Sequence, residues 1–410
     1  MKKFVLVSSI LMAAVILIGI NGCKKETKDF LLSALKAGDV DLNGATAPSD
    51  VDPNATIVAS FSSDVDAATA TTATITLTRN YDGAMMTLNI AVSGNTITIT
   101  PGDDLGMGAL YQLAFLAGIK GTNGKDLTPF NRSFTTMGNF VPAGVIAYWN
   151  FNNNADDQVG SYSPASASDV IDISYVDSRN ADADMAASFN GSTSLIEIPN
   201  GDQLMNTDNF TLAFWVHTVS ADKTTGHFVM GLAGWYGFQF EIGADYSWCK
   251  LAAQYDEGGG LTASEDLWFP ADGNLGWQGW VYCADLTDAG GLAFLIQDKW
   301  AQVVCVYNAT TKVGTMYING EKMKVQDFNL WPDGDPKQGV VGLKYAGNPD
   351  GNVFAFGFIQ ARENPIITDD WAQYSNPDNN HFKGYLDDVR IWHRALTAQE
   401  VSLNYQSEVK

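Results

Sequence analysis

Short runs in which apolar and polar residues alternate, separated by turn residues, fill the chain from about residue 47 onward. The alternation is clear at 55–61 (ATIVASF), 87–92 (TLNIAV) and 96–100 (TITIT), with turn signals at Asp82-Gly83 and Pro101-Gly102. Period-two alternation places apolar side chains on one face of a strand. Many short strands joined by polar turns are typical of antiparallel sandwiches. The pattern therefore predicts an all-β protein.

Apolar runs beyond residue 143 predict further strands, at 210–216 (FTLAFWV), 227–234 (HFVMGLAG), 236–243 (YGFQFEIG), 250–255 (KLAAQY) and 300–307 (WAQVVCVY). The last of these has almost no polar interruption, which predicts a strand buried on both faces. No internal repeat is visible, and the patterns before and after residue 140 differ. The chain is long enough for two or three domains.

The segment 382–400 (FKGYLDDVRIWHRALTAQE) predicts a buried strand that leads into a capped helix. Period two places Tyr385, Val389 and Ile391 on one face of the strand, with Leu386 and Trp392 on the other. Asp387 and Asp388 are unusual inside a strand, so a partner must hold them there. Beyond the strand, Thr397 and Glu400 have the spacing of a capping box, and Leu396 and Val401 that of a hydrophobic staple.

The N-terminus predicts a targeting signal rather than a folded element. Lys2 and Lys3 precede an apolar run at 4–20, and Ile20-Asn21-Gly22-Cys23 resembles a bacterial lipobox. This resemblance implies a signal peptide at 1–22 and a lipidated Cys23, with residues 23–46 as a tether in which 30–36 forms a short helix. We expect an exported lipoprotein of the outer membrane, held to the membrane by its lipid anchor only and facing the cell surface or the periplasm.

Net charge and cysteine content limit the classes of partner and the thiol states that we expect. A net charge of −22 repels nucleic acid, so a nucleic-acid partner is not expected. Besides Cys23 the chain has Cys249, Cys283 and Cys305. In an oxidising compartment, Cys249 and Cys283 would form a disulfide across a long loop, or all three thiols would stay reduced. Cys305, inside the apolar run at 300–307, is expected to be a buried thiol.

Two blocks of the chain resemble known β-sandwich families. Residues 47–137 are similar to bacterial Ig-like domains, which are mostly spacers, in the segments 57–62 (IVASFS), 117–120 (AGIK), 124–127 (GKDL) and 134–136 (FTT). Residues 143–410 resemble the laminin-G-like, concanavalin A-like jelly-roll domains in the segments 145–151 (VIAYWNF), 187–191 (ASFNG), 195–199 (LIEIP), 210–216, 314–320 (GTMYING) and 382–400. The resemblance implies an Ig-like β-sandwich followed by a jelly-roll sandwich.

Aromatic residues concentrate in a stretch that lengthens the middle of the second block. Five of the eleven tryptophans lie at 235–280, and a second loop at 360–381 has further aromatic residues. Flat aromatic rings stack on the C–H faces of sugars, and tryptophan is frequent in binding hot spots. The ligand-binding candidates are Trp235, Trp248, Trp268, Trp277, Trp280, Trp371 and Tyr374. The alternative is that these rings form a small core beneath the loops.

Acidic pairs near the first and last strands of the second block are candidate calcium ligands. Asp156 and Asp157 follow the opening strand, and Asp387 and Asp388 lie in the closing one. Because first and last strands of jelly rolls often lie side by side, oxygen ligands from both pairs could hold one structural calcium. The laminin-G-like resemblance implies the same ion. The alternative is that Asp388 pairs with Arg390.

Catalytic motifs are absent from the sequence. The E-x-D-x-x-E pattern of concanavalin-fold glucanases does not occur, and Glu241 with Asp245 is the carboxylate pair to inspect. The four histidines have no metal-ligand spacing. We predict a non-catalytic cell-envelope protein that binds a carbohydrate through its C-terminal domain. The alternatives are a protein-binding adhesin or envelope assembly component, with a surface protein as partner, and a glycoside hydrolase of concanavalin-like fold.

Overall fold

Strands and short turns form most of the chain, as the alternating pattern predicts. A computed structural model describes residues 28–44, 46–103, 105–270 and 277–409. The predicted signal peptide and Cys23 lie outside these residues and stay predictions. The chain divides into one unit that runs to residue 137 without 106–108, and a second that contains 106–108 and 138–410. The all-β prediction is confirmed for both units.

The first unit is a sandwich of two antiparallel sheets. Its strands are β1 (Leu32–Ala37), β2 (Val40–Asp41), β3 (Ile57–Phe61), β4 (Ile75–Arg79), β5 (Leu88–Ser93), β6 (Thr96–Pro101), β7 (Leu110–Phe115) and β8 (Phe130–Thr135). Within the described residues, one sheet has the order β2-β1-β3-β6-β5 and the other β4-β7-β8. The alternating apolar side chains point inward, and Leu77, Ile99 and Leu113 are among those fully buried.

The segment predicted as a tether contributes to this sandwich. Residues 32–37 form strand β1, which pairs antiparallel with β3, so the helix expected at 30–36 was wrong. Phe30 is buried and stacks on Phe61, with ring centroids 4.9 Å apart. The apolar residues Phe30, Leu35 and Ala37 are buried because β3 offers a strand edge and a core to cover. The folded unit therefore begins well before residue 47.

The second unit is a larger two-sheet sandwich with two α-helices among the described residues. Its strands are β9 (Val145–Trp149), β10 (Val170–Ile171), β11 (Ser174–Asp177), β12 (Met185–Asn190), β13 (Leu195–Ile198), β14 (Phe210–Thr218), β15 (His227–Gly231), β16 (Phe238–Ile242), β17 (Cys249–Gly258), β18 (Leu261–Phe269), β19 (Trp280–Cys283), β20 (Trp300–Asn308), β21 (Val313–Ile318), β22 (Glu321–Asp327), β23 (Gly342–Leu343), β24 (Phe354–Phe356) and β25 (Lys383–Trp392). The helices are α1 (Gly291–Ile296) and α2 (Ala398–Glu408).

Within the described residues, these strands form a nine-stranded and an eight-stranded antiparallel sheet. The nine-stranded sheet has the order β11-β12-β25-β14-β20-β21-β22-β19, with β9 beside β25. The eight-stranded sheet has the order β10-β13-β24-β15-β16-β17-β18, with β23 beside β17. Aromatic rings from the two sheets meet in the core between them. Phe214 contacts Phe240 at 4.9 Å between ring centroids, and Trp149 contacts Phe356 at 5.1 Å. The interior is therefore closely packed.

The closing strand contains a bulge that the period-two prediction missed. In β25 the pairing with β14 shifts register around Asp388, whose φ is +48°. Because a bulge inserts an extra residue, the side chains beyond it point to the face opposite to the one that period two predicts. Leu386 therefore shares the core with Val389 and Ile391, and Trp392 packs on the opposite face with Leu396 and Val401. The predicted capping box of Thr397 and Glu400 is confirmed, with both reciprocal hydrogen bonds present.

Candidate functional site

Polar side chains stand in rows on the outward face of the eight-stranded sheet, across β16, β17 and β18. In β16 the residues Phe238, Phe240 and Ile242 enter the core, so period two turns Gln239 and Glu241 outward. The strand register sets Glu241 opposite Lys250 and Lys250 opposite Trp268.

The neighbouring row on the same face is Gln239, Ala252 and Asp266. We call the polar residues Gln239, Glu241, Lys250 and Asp266, together with Ala252 between them, the polar floor.

A lysine between two carboxylates and two tryptophans is the centre of the polar floor. Lys250 Nζ lies 2.8 Å from Asp266 Oδ2 and 3.1 Å from Glu241 Oε1. The same ammonium lies 5.4 Å and 5.9 Å from the ring centroids of Trp268 and Trp248. Burial lowers the pKa of Lys250, but Glu241 and Asp266 outweigh it, so its pKa is raised. The lysine is therefore a fixed cation that holds both carboxylates in place.

The rings of Trp248 and Trp268 form one aromatic cluster beside this lysine. Their centroids are 5.3 Å apart, and both side chains are half-buried. Trp248 also covers Gly243, where an added Cβ would lie 2.6 Å from the indole nitrogen. Trp268 of β18 and Trp248 of the turn before β17, both predicted as ligand residues, therefore form a pair.

A second aromatic cluster lies at the opposite side of the polar floor. Trp235 and Tyr236 belong to the 3₁₀ turn Gly234–Tyr236 that enters β16, and Trp371 to the 3₁₀ turn Asp370–Ala372. Trp235 is stacked on Trp371 at 5.3 Å and on Tyr236 at 6.5 Å between centroids. Trp235 is 37% exposed, Tyr236 36% and Trp371 38%, so all three are accessible to solvent. We call Trp235, Tyr236 and Trp371 the aromatic stack.

Phe228 lies between the polar floor and the aromatic stack. Trp371 packs edge to face on Phe228, at 6.1 Å between centroids, and Phe228 lies opposite Glu241 in the strand register. Gln239 donates to Glu241 Oε1 at 2.8 Å, but its buried carbonyl oxygen has no hydrogen-bond partner among the described residues. A buried acceptor without a partner is costly.

Gly234 lies close to that oxygen. It has a φ of +58°, and an added Cβ would lie 3.1 Å from Gln239 Oε1 and 2.5 Å from Ile367 Cδ1. A side chain at this position would therefore be strained by both the backbone and the contact.

Three of the predicted ligand residues lie elsewhere or are only partly described. Trp280 belongs to β19 of the nine-stranded sheet, where Lys324 Nζ lies 4.0 Å from its ring centroid. For Trp277 the structure describes the backbone alone. Tyr374 is half-buried, packs on Phe358 and His381, and donates to the Thr193 carbonyl at 2.5 Å, which is internal packing.

The sequence prediction missed Tyr236, Gln239, Lys250 and Asp266. The alternation in 236–243 and 250–255 was a usable signal, because it marks which polar residues face outward.

The carboxylate pair Glu241 and Asp245 does not form an acid–base site. Glu241 is buried in the ion pair with Lys250, whereas Asp245 is exposed in the turn after β16. Asp245 accepts from the Ser247 hydroxyl at 2.7 Å, and this hydrogen bond lowers the pKa of Asp245. This pair therefore does not provide the two carboxylates across a cleft that glycoside hydrolysis requires.

Arginines, not a metal, are the partners that hold Asp387 and Asp388. Arg179 Nη1 lies 2.5 Å from Asp387 Oδ2, and Arg179 Nη2 lies 2.5 Å from Asp388 Oδ2. Arg390 Nη2 lies 2.9 Å from Asp388 Oδ1, which also accepts from the Tyr148 hydroxyl at 2.5 Å. Every oxygen of these carboxylates has a protein donor, because Asp387 Oδ1 accepts from the Asp388 amide. The sites therefore do not fit a calcium ion.

The first acidic pair has other partners. Asp157 accepts from the backbone amides of Tyr148, Val159 and Tyr162, and Asp156 is exposed. In the described part of the chain no group of three or more acidic, histidine or cysteine side chains is arranged as metal ligands. The shared calcium site that the sequence predicted is thus not formed by Asp156, Asp157, Asp387 and Asp388.

The predicted disulfide between Cys249 and Cys283 is not formed. Cys249 lies in the core, where its thiol contacts Met316 Sδ at 3.7 Å and burial raises its pKa. Cys283 belongs to β19 in the other sheet. All three described cysteines are free, and Cys305 is buried as expected.

Comparison with protein families identifies the two units. This chain is a two-domain β-sandwich protein with an aromatic and polar face on its larger domain. Residues 41–136 match the family model of the bacterial Ig-like domain, and residues 190–350 match that of the concanavalin A-like lectin/glucanases superfamily. The protein therefore has an Ig-like domain followed by a concanavalin A-like jelly-roll domain. None of the curated proteins compared with the chain matches its sequence.

Several solved structures are similar to part of the chain. The receptor-binding domain of botulinum neurotoxin type G is 14% identical with a TM-score of 0.38, and the match covers 64% of this chain and 51% of that one. The binding domain of Paraclostridial Mosquitocidal Protein 1 is 14% identical with a TM-score of 0.38, covering 64% and 52%.

Domain 4 of AbnA, a GH43 extracellular arabinanase from Geobacillus stearothermophilus, in complex with arabinotriose, is 18% identical with a TM-score of 0.37, covering 63% and 97%. The chain spans about half the length of the neurotoxin and mosquitocidal binding domains that it matches. Among the described residues no helix is long and apolar enough to cross a membrane.

Proposed function

We propose that the C-terminal domain binds carbohydrate, without cleaving it, through the outward face of its eight-stranded sheet. The observation that carries this proposal is the aromatic stack of Trp235, Tyr236 and Trp371 beside the polar floor. Aromatic rings more than a third exposed are expensive to leave in water and are typical of binding hot spots. Binding sites of this kind combine aromatic surface with a few fixed polar groups, and the polar floor supplies those groups.

The remainder of the chain fits the role of a support for this domain. We place the protein in the cell envelope, exported through the signal peptide at 1–22 and anchored by a lipid on Cys23. The Ig-like domain then acts as a spacer before the binding domain, because its described residues supply no comparable aromatic and polar face.

Glycan binding is tested with the full chain, and the stack is tested by single substitutions. The wild-type protein is applied to an array of neutral and acidic plant, host and microbial glycans, and each hit is measured by calorimetry. W235A and W371A are expected to weaken binding at least about tenfold, because truncation of a hot-spot tryptophan costs roughly 2 kcal/mol or more. F294A removes an exposed ring from α1, outside the proposed face, and is the matched control.

The outcomes separate the candidate functions. Loss of binding in W235A and W371A but not in F294A, with unchanged melting temperatures, supports the proposal. Silence of the wild-type protein on every glycan would contradict it. Capture of a protein partner that depends on the same two tryptophans would instead favour the adhesin or assembly role.

A further inference from the structure

We infer that this face takes a neutral segment from the interior of a polysaccharide chain, laid across strands β15 to β18. The inference rests on the proposed function and specifies the ligand of the same site. Its basis is the position of two aromatic clusters at opposite sides of one polar floor.

The span between the clusters follows from the strand register. Phe228, Glu241, Lys250 and Trp268 lie opposite one another in the consecutive strands β15, β16, β17 and β18. Trp371 packs on Phe228 at one side, and Trp248 packs on Trp268 at the other. With neighbouring strands ~4.8 Å apart, the three gaps place the backbones of Phe228 and Trp268 ~14 Å apart, about the length of three sugar rings. A single sugar cannot contact both clusters.

The polar floor between the clusters suits hydroxyl groups. Asp266 and Lys250 have side chains that are 34% and 18% exposed, so both retain hydrogen-bonding capacity toward solvent. Carboxylates accept and an ammonium donates, which matches hydroxyls that do both. Gln239, Glu241 and Ala252 are buried, so Lys250 and Asp266 are the floor groups that a ligand would contact. Because an aromatic cluster lies on each side of these two groups, the face favours a chain that passes over both clusters rather than a chain end held at one.

The charge of the floor favours a neutral ligand. Lys250 is already shared by Glu241 and Asp266, so the three groups together carry one excess negative charge. The whole chain has a net charge of −22. An anionic polymer would meet repulsion both at the floor and over the surface, and no free cation on the floor offsets it among the described residues.

The experiment measures affinity against ligand length with defined probes. Neutral oligosaccharides of one to six rings, prepared from cellulose, xylan, mannan and β-1,3-glucan, are titrated into the full chain by calorimetry, with oligogalacturonates of equal length as anionic counterparts. We expect affinity for the neutral series that binds to rise at least about tenfold between one and four rings and then to level off. Oligogalacturonates are expected to bind at least tenfold more weakly.

Two substitutions test whether both clusters contact one ligand. W268A and W235A should each abolish most of the gain between two and four rings, whereas F294A should retain the wild-type length profile. Circular dichroism and melting temperature confirm that each variant is folded.

The results distinguish failure of this inference from failure of the proposed function. If single sugars bind as tightly as four rings, or W268A leaves the length profile unchanged while W235A does not, the site takes a chain end at the aromatic stack, and only the inference falls. Tighter binding of oligogalacturonates would also overturn it. If no glycan binds the folded wild-type protein, the proposed function falls with it.

Discussion

Asp388 shows how one residue changes the faces of a whole strand. Its φ of +48° lies in the left-handed region, which aspartate tolerates better than most residues other than glycine. Arg179, Arg390 and the Tyr148 hydroxyl all bind its carboxylate, so the surrounding side chains stabilise the conformation. The bulge then turns Val389 and Ile391 to the same side as Leu386. A local pattern cannot reveal this, because the partners lie far away in sequence.

His227 is a buried residue that should make stability depend on pH. Burial, followed by the nearby Lys223, lowers its pKa to about 3, with Lys383 acting in the same direction and Asp298 against it. Its Nδ1 accepts from the Lys383 amide at 3.4 Å, so Nε2 carries the proton and donates to the Tyr246 hydroxyl at 2.9 Å. Protonation would remove the acceptor at Nδ1.

We expect acid to destabilise the C-terminal domain partly through His227. Because its folded pKa lies below the unfolded value of about 6.5, the unfolded chain binds more protons between pH 6.5 and 3, and stability falls as pH decreases through that window. H227Q should show a smaller loss of unfolding free energy between pH 7 and pH 4.5, by about 2 kcal/mol, measured by urea unfolding at both pH values. Parallel pH profiles for wild type and H227Q would contradict this.

At the scale of elements, helix α2 is joined to the nine-stranded sheet by a buried carboxylate at its last residue. Glu408 Oε1 lies 2.6 Å from Arg390 Nη1, and Oε2 accepts from Trp215 Nε1 at 2.7 Å. Gln302 and Asn404 donate to the same carboxylate. Two arginines face three carboxylates in this network, and burial together with Asp388 raises the pKa of Asp387.

Replacing Glu408 should therefore loosen the helix from the sheet. E408Q removes the carboxylate that accepts from Arg390 Nη1 and Trp215 Nε1 and leaves Asp388 as the ion-pair partner of Arg390, which is expected to cost about 3 kcal/mol of unfolding free energy. The measurement is the denaturant midpoint of the full chain, followed through tryptophan fluorescence. K344M removes the partner of Asp256 in a more exposed ion pair of 3.7 Å and should change stability by less than about 1 kcal/mol. Equal effects of the two variants would argue against the network.

At the scale of the whole molecule, the chain consists of two units whose surfaces differ in their side chains. The Ig-like unit has a core and ordinary sheet surfaces, whereas the jelly-roll unit has the aromatic stack and the polar floor. Export and anchoring, which we propose from residues 1–23, would apply to the chain as a whole. The two free thiols of the core, Cys249 and Cys305, are buried and so are unsuited to modification.

The anchor is tested by lipid labelling in a bacterial host that processes lipoproteins. C23S should abolish incorporation of labelled palmitate and move the protein from the membrane fraction to the soluble one, because a covalent lipid is the proposed attachment. C283S changes another cysteine that is not fully buried and should retain both label and membrane fraction. Labelling that persists in C23S would exclude this cysteine as the anchor.

Much of the fold and part of the candidate site could be predicted from the sequence. Alternation of period two predicted the strands, and the spacing of Thr397 and Glu400 predicted the capping box, because both depend on neighbours along the chain. The concentration of tryptophans predicted the region in which the candidate site is now proposed. It could not separate Trp235 and Trp268, which lie on the polar face, from Trp280, which lies on the other sheet, since that depends on which strands pair.

The sequence by itself determined what is local: the all-β architecture, the order of the two domains and the helix start at Thr397. Only the tertiary structure decided which distant residues meet. In the folded protein Trp371 stacks on Trp235, and arginines bind the aspartates that were expected to hold calcium. Cys249 and Cys283 lie in opposite sheets, and residues 32–37 form a strand of the Ig-like sheet. The physical reason is that strand pairing and register join residues far apart in the chain, and a single bulge or sheet assignment changes which side chains share a face.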